Sequence, residues 1–332
     1  MFFKKARNIL CSFIITLLIL PTTAFAYSDY IIAGGENIGI QINSKGILIV
    51  GLYKIENSYP GRDAGLKLGD KILAINNEGV ENINQMVEKI NNDPDKDSIQ
   101  ISYERYNKTY STNLKLVKNE DNVYKTGLYV KDTINGIGTL TFIDPGTKIF
   151  GALGHEIAEK NTGQMMEVKD GKIFKSEVQS ISKSSNGSPG EKNAKYYSNI
   201  VYGSISENTK SGIFGSYKDS MPSKTLYKVA NPDEIKLGKA SIFTVIKEEK
   251  VEQFDIEIVK INNDDNQKIK NILFNITDDV LLSASGGVVQ GMSGSPIIQN
   301  EMIIGAVTHV VVDDPTKGYG IFITYMLDEA EN

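Results

Sequence analysis

The segment Gly291-Met292-Ser293-Gly294-Ser295-Pro296 lies between Gly286-Gly287-Val288-Val289 and the strand-like Ile297-Ile298. Two glycines let such a turn bend until the amide hydrogens of Gly291 and Ser293 point into one pocket, where they can stabilise the oxyanion of a tetrahedral intermediate. Ser293 then stands at the rim as a nucleophile. The same residues also make a plain turn between strands, so the reading needs a base. The chain has two histidines, His155 and His309. His155 ends Phe150-Gly151-Ala152-Leu153-Gly154-His155, a strand closing in small residues that leave the ring at a loop mouth. An imidazole with an ordinary pKa of about 6.5 can take a serine proton near neutrality and return it to a leaving amine. His309 sits in the strand after the turn, where alternation puts Thr308 and His309 on opposite faces. We read Thr308 and His309 as lining the subsite for the residue before the scissile bond, with His309 as the alternative base. A carboxylate should hold the base in its tautomer. Asp278, Asp279, Asp170, Asp233, Asp255 and Asp313 are candidates, and Asp278, 15 residues before Ser293, can share the site after one return of the chain.

No HExxH or comparable ligand spacing is present, and the two histidines are 154 residues apart. The glycine pairs Gly34-Gly35 and Gly286-Gly287 lack the Lys and Ser/Thr of a phosphate-binding loop. Neither a metal nor a cofactor is expected. The nucleophile-elbow context of an ester hydrolase, strand then GxSxG then helix, is missing as well.

A chain of 332 residues with 40% apolar and 23% charged residues is long enough to bury one large or two modest cores. Gly and Pro are ordinary in number, and a net charge of −5 is too acidic for a nucleic-acid binder. The start of the chain reads as an export leader: Lys4, Lys5 and Arg7, then an apolar run over 9–20, then Ala24-Phe25-Ala26. Cleavage would fall before Tyr27; the alternative is an uncleaved membrane anchor. The single cysteine, Cys11, lies inside that run. The exported part therefore has no disulfide and no reactive thiol and must be held by core burial.

Short β-like runs alternate with turn residues over 34–118. One helix is expected from an Asn82 cap through Ile83, Met86, Val87 and Ile90, a stripe that buries one face. A hairpin is expected around Asn107-Lys108. The polar stretch 118–125 reads as a linker and 183–198 as a surface loop. The many short strands of 119–332 indicate a sandwich or barrel.

The run Pro60-Gly61-Arg62-Asp63-Ala64-Gly65-Leu66, with Gly69-Asp70 and a strand ending in Asn76, resembles a PDZ domain of the bacterial protease type over 34–118. The resemblance implies that a peptide adds as a strand along 35–42 against the helix of 82–91. Ile38, Gly39 and Ile40 would supply amides and a pocket, with Met86 and Val87 as the facing wall. Residues 119–332 resemble the peptidase domain of the stage IV sporulation protein B family. The matching text is FGALGH at 150–155, SPGEK at 188–192, GIFG at 212–215, GGVVQGMSGSPIIQN at 286–300 and GAVTHVVVDDPTKGYGIFI at 305–323. That resemblance implies a mainly β chymotrypsin-like double barrel, with Ser293 as nucleophile, His155 as general base and Asp278 as third member. It implies an exported endopeptidase of the sporulation checkpoint, acting in the forespore intermembrane space on a membrane-associated regulator. Two departures stand out. The carboxylate precedes the serine by only 15 residues, and about seven residues separate the leader from the PDZ start, too few for the self-cleaved spacer usual in that family.

Overall fold

The computed structural model describes residues 27–93, 97–118, 123–263 and 269–331; the expected leader, 1–26, lies outside the described residues. The chain is mainly β, and its β-branched runs supply separate cores for two barrels and a further module. Among the described residues no helix is long and apolar enough to cross a membrane.

Two closed antiparallel barrels dominate the fold. In the first, strand Asn37–Leu52 pairs with Leu128–Ile143, which pairs with Ile149–Ala152, then Gly212–Tyr217, Glu191–Thr209 and Val168–Ser182, and the last returns to Asn37–Leu52. Its interior is filled by Ile38, Ile40, Ile42, Leu140, Phe150 and Ile173. In the second, Gly238–Val245 pairs with Val251–Ile261, then Ile272–Ile276, Lys317–Phe322, Met302–Val310 and Pro296–Gln299, which closes on Gly238–Val245. Ile242, Phe254, Phe274, Ile297, Val307 and Phe322 fill it. Closure gives every strand of these barrels a partner on each side within the chain. Helix Ile323–Ala330 covers the join, with Met326 and Leu327 packed on Ile31, Phe142 and Phe214.

The PDZ module has its own core, including Ile47, Ile49, Ile72, Met86, Ile90, Ile101 and Leu114. Its helix Ile83–Asn92 starts where expected: the Asn82 side chain accepts from the Gln85 amide at 2.9 Å. The hairpin turn falls at Tyr106-Asn107, one position before the expected one, and both residues have positive φ, as a two-residue turn between right-twisted strands requires. The signature Gly69-Asp70 has a structural task. Asp70, buried, takes a two-pronged bond from Arg105 at 2.6 Å per prong and a further bond from the Lys67 amide.

The strand that leads into the module is shared with the first barrel. Residues 37–43 belong to the first barrel, and the module is inserted after them. Strand Asn37–Leu52 and its partner Leu128–Ile143 leave the barrel together and continue into the module, where Leu48 faces Lys131 and Leu52 faces Leu128. Lys71 to Glu167 and Lys169 to Glu81 bridge the two units alongside this ribbon. The expected loop of 183–198 is also shorter, since strand Glu191–Thr209 begins inside it.

Candidate active site

His155 and Ser293 reach one cleft from opposite barrels. Strand Ile149–Ala152 ends in Leu153 and Gly154, both with left-handed φ (72° and 71°). That turn swings the imidazole out of the first barrel, and for Leu153 it is a conformation that L-residues seldom adopt. Ser293 lies in the turn between helix Asp279–Ser285 and strand Pro296–Gln299, with Gly291 and Gly294 at φ 94° and 93°. A Cβ at Gly294 would collide with the Thr139 carbonyl and the Leu153 amide, so only glycine lets the serine turn approach the histidine's strand this closely.

The cleft has a volume of about 470 Å³ and is lined by His155, Glu156, Gln290, Gly291, Ser293 and His309 on its polar side, with Ile40, Ile137, Leu153 and Val289 among the apolar walls. A larger hollow of about 910 Å³ lies on the PDZ module beside Glu78, Glu81 and Glu88, but it holds no nucleophile with a base.

The turn's amides alternate in use. Those of Gln290, Met292, Gly294 and Ser295 donate to Gly190, Val289, Val307 and Met292 carbonyls. Those of Gly291 and Ser293 have no acceptor among the described residues. Two uncommitted N–H groups beside a serine hydroxyl are what an oxyanion needs. The Ser293 hydroxyl donates to the Thr308 carbonyl at 3.0 Å, not to an imidazole. His155 Nδ1 lies 2.8 Å from the Glu156 carbonyl and donates to it as the neutral Nδ1–H tautomer, which turns the Nε2 lone pair outward. Burial pushes the His155 pKa down, with the Glu156 contact opposing it. His309 is pushed down to about 4 by burial first, then by His155 and Lys270.

Thr308 contributes its carbonyl, while its hydroxyl turns back to the Ile269 and Tyr319 carbonyls at 2.8 and 3.2 Å. The His309 ring faces His155, centroid to centroid 5.3 Å.

Asp278 is placed elsewhere. Its oxygens accept from the Leu281 amide at 2.9 Å and the Asp255 amide at 3.4 Å, so it caps helix Asp279–Ser285. It does not line the cleft, nor do Asp279, Asp170, Asp233, Asp255 or Asp313. In this arrangement the Glu156 carbonyl occupies the place behind the imidazole. Asp278→Ala is expected to cost about 1 kcal/mol of stability and Asp278→Asn almost none, because Asn caps equally well. Urea midpoints check this. An Asn variant that keeps its midpoint but loses turnover would bring the carboxylate back to the base.

The PDZ residues are corrected too. Ile38, Gly39 and Ile40 are buried in the first barrel and their strand is hydrogen-bonded on both edges, to Leu128–Ile143 and Val168–Ser182. No peptide can add there. Met86 belongs to the module's own core and Val87 is exposed, whereas Ile38 and Ile40 belong to the first barrel's core.

Two residues were missed. Thr139, fully buried, donates its hydroxyl to the Gly291 carbonyl at 2.7 Å and its amide to the Ser293 carbonyl at 3.0 Å, fastening the turn to the first barrel. A lone threonine pair in the apolar run Gly138–Ile143 was the available signal. Thr139→Val is expected to lose about 1–3 kcal/mol by leaving a buried carbonyl without its donor; an unchanged urea midpoint would show that the turn is held otherwise. Lys192, also buried, lays its stem against Gly291 and donates from Nζ to the Thr244 hydroxyl at 2.8 Å. Burial alone pushes its ammonium down to about 7.

Residues 122–327 match the SpoIVB peptidase S55 family and residues 37–116 the PDZ domain. A comparison with curated proteins finds no match. Among solved structures, the active form of Rv3671c protease from M. tuberculosis is 16% identical over 59% of this chain and 74% of its own, with a TM-score of 0.32. Its inactive form is 13% identical over 58% and 84%, with a TM-score of 0.33. The PDZ domain of the SdrC-like protein from Listeria monocytogenes is 18% identical over 27% of this chain and 93% of its own, with a TM-score of 0.24. With the family matched across most of both barrels, the chain belongs to the SpoIVB peptidase S55 family and is a PDZ-containing serine peptidase that acts on protein or peptide substrates.

Proposed function

We propose that Ser293 is the nucleophile of this peptidase, His155 its general base, and the amides of Gly291 and Ser293 its oxyanion site. The observation that carries this is the meeting, in one cleft, of a serine and a histidine from separate barrels beside two amides with no internal acceptor. For reaction the Ser293 hydroxyl leaves the Thr308 carbonyl by a side-chain rotation and gives its proton to His155 Nε2 as Oγ bonds to the scissile carbonyl carbon. The carbonyl oxygen takes the electron pair and is held by the two amides. Collapse breaks the C–N bond, His155 returns the proton to the leaving amine, and water then releases the acyl group by the same steps. Glu156 keeps His155 in the working tautomer through its carbonyl. A fluorophosphonate probe should label the wild-type chain and not Ser293→Ala. Absence of labelling on folded wild type would leave a PDZ scaffold without hydrolase activity.

The substrate we propose is a membrane-associated regulatory protein of the sporulation checkpoint, cut after export toward the intermembrane space so that a mother-cell sigma factor is processed. Family membership and the basic-apolar leader of 1–26 support this reading. The PDZ module, with the edge at 38–40 closed, acts in it as a brace on the strand ribbon that lines the cleft.

A further inference from the structure

The proteolytic chemistry proposed above uses one imidazole, yet two share the cleft. His155 and His309 come from different barrels, their ring centres 5.3 Å apart and their planes at 45°. His155 has Nδ1 engaged by the Glu156 carbonyl and Nε2 unengaged. His309 has neither ring nitrogen bonded to a described residue, and its Nδ1 is buried without a partner. A buried polar atom in that state calls for a partner from solution.

We propose that His155 and His309 together bind one divalent transition-metal ion of the zinc type, and that the ion reversibly blocks the enzyme. Neutral imidazole is a preferred ligand of zinc, at about 2.0–2.1 Å per nitrogen. Two nitrogens on a tetrahedral ion then lie about 3.4 Å apart, a separation within reach of two rings whose centres are 5.3 Å apart. The bond from His155 Nδ1 to a backbone carbonyl is the outer support that fixes a ligating histidine's tautomer and raises its basicity. No group of three or more His, Cys, Asp or Glu suited to a metal occurs among the described residues. Water or the Ser293 hydroxyl therefore completes the coordination, which makes the site open and exchangeable rather than structural. The ion takes the same Nε2 lone pair that would accept the Ser293 proton, so metal binding and proton transfer exclude each other. The blocking effect rests on His155 being the base; the binding does not.

With two histidines in the chain, the imidazole nitrogen resonances of the intact protein report the site without any substitution. Titration with Zn²⁺ should shift both rings together, saturating at one ion per chain, and Co²⁺ should give a matching visible band that Zn²⁺ abolishes. His309→Gln should weaken Co²⁺ binding by at least about tenfold, and Ser293→Ala should retain it. Zn²⁺ should suppress peptide cleavage over the range that saturates the rings, with recovery on adding EDTA. Rings that do not move, or movement of one alone, overturn the proposal. The two readings fail separately. A chain whose rings both bind Zn²⁺ but which takes no fluorophosphonate keeps the metal site and loses the hydrolase; a labelled chain with unmoved rings does the reverse.

Discussion

Ser293→Ala is expected to lower kcat on a peptide substrate by about 10⁶-fold, the typical cost of losing the nucleophile of a serine hydrolase, with a residue of activity from the oxyanion amides and binding. The fold should survive. Among the described residues the hydroxyl bonds to the Thr308 carbonyl, so its removal is expected to cost about 1 kcal/mol. The Gly291 and Ser293 amides and the Thr139 contacts stay, because they are backbone or belong to another residue. The informative measurement is therefore kcat beside a urea midpoint. Turnover within tenfold of wild type in a folded variant would remove Ser293 from the chemistry; loss of both turnover and midpoint would point to a collapsed turn, not a missing nucleophile.

The glycine-flanked serine, the histidine at a strand end, the Asn82 cap and the two-unit layout could be read from the sequence because each depends on neighbours within a few positions. What could not be read depends on distant pairing. Residues 38–42 alternate like any half-buried strand, and the pattern does not say whether the partner is a PDZ sheet or strands 92–100 and 129–137 residues away. In the folded chain Ile38 opposes Gly138 and Lys175, and that choice moved the strand from the expected peptide groove into a barrel. Asp278 is the opposite case. Asp-Asp-Val-Leu-Leu is a local helix-start signal, and Asp278 serves as that helix's cap and not in the long-range role expected of it. Lys192 was hidden by its type, since a lysine in a polar stretch ordinarily marks a surface and here lies under Gly291.

His155→Ala is expected to cost about as much in kcat as Ser293→Ala, and the double variant no more than either, because the two act as a unit. His309→Ala should cost less than about 10²-fold. The distinction comes from orientation. A general base must present one lone pair steadily, and the Glu156 carbonyl does this for His155 at 2.8 Å, while His309 has no bond to a described residue that fixes its ring. The pH profile supplies an independent check. Burial disfavours the charged imidazolium, so the folded protein keeps His155 neutral to lower pH than a free imidazole. The base works only when neutral. Activity is thus lost as pH falls through the lowered value, and the acid limb of kcat/KM should lie below the ordinary pKa of about 6.5. His309 is held down to about 4, by burial first and then by His155 and Lys270, so the limb should not follow it. A His309→Ala chain as inactive as Ser293→Ala, together with a His155→Ala chain that still turns over, would exchange the roles of the two histidines.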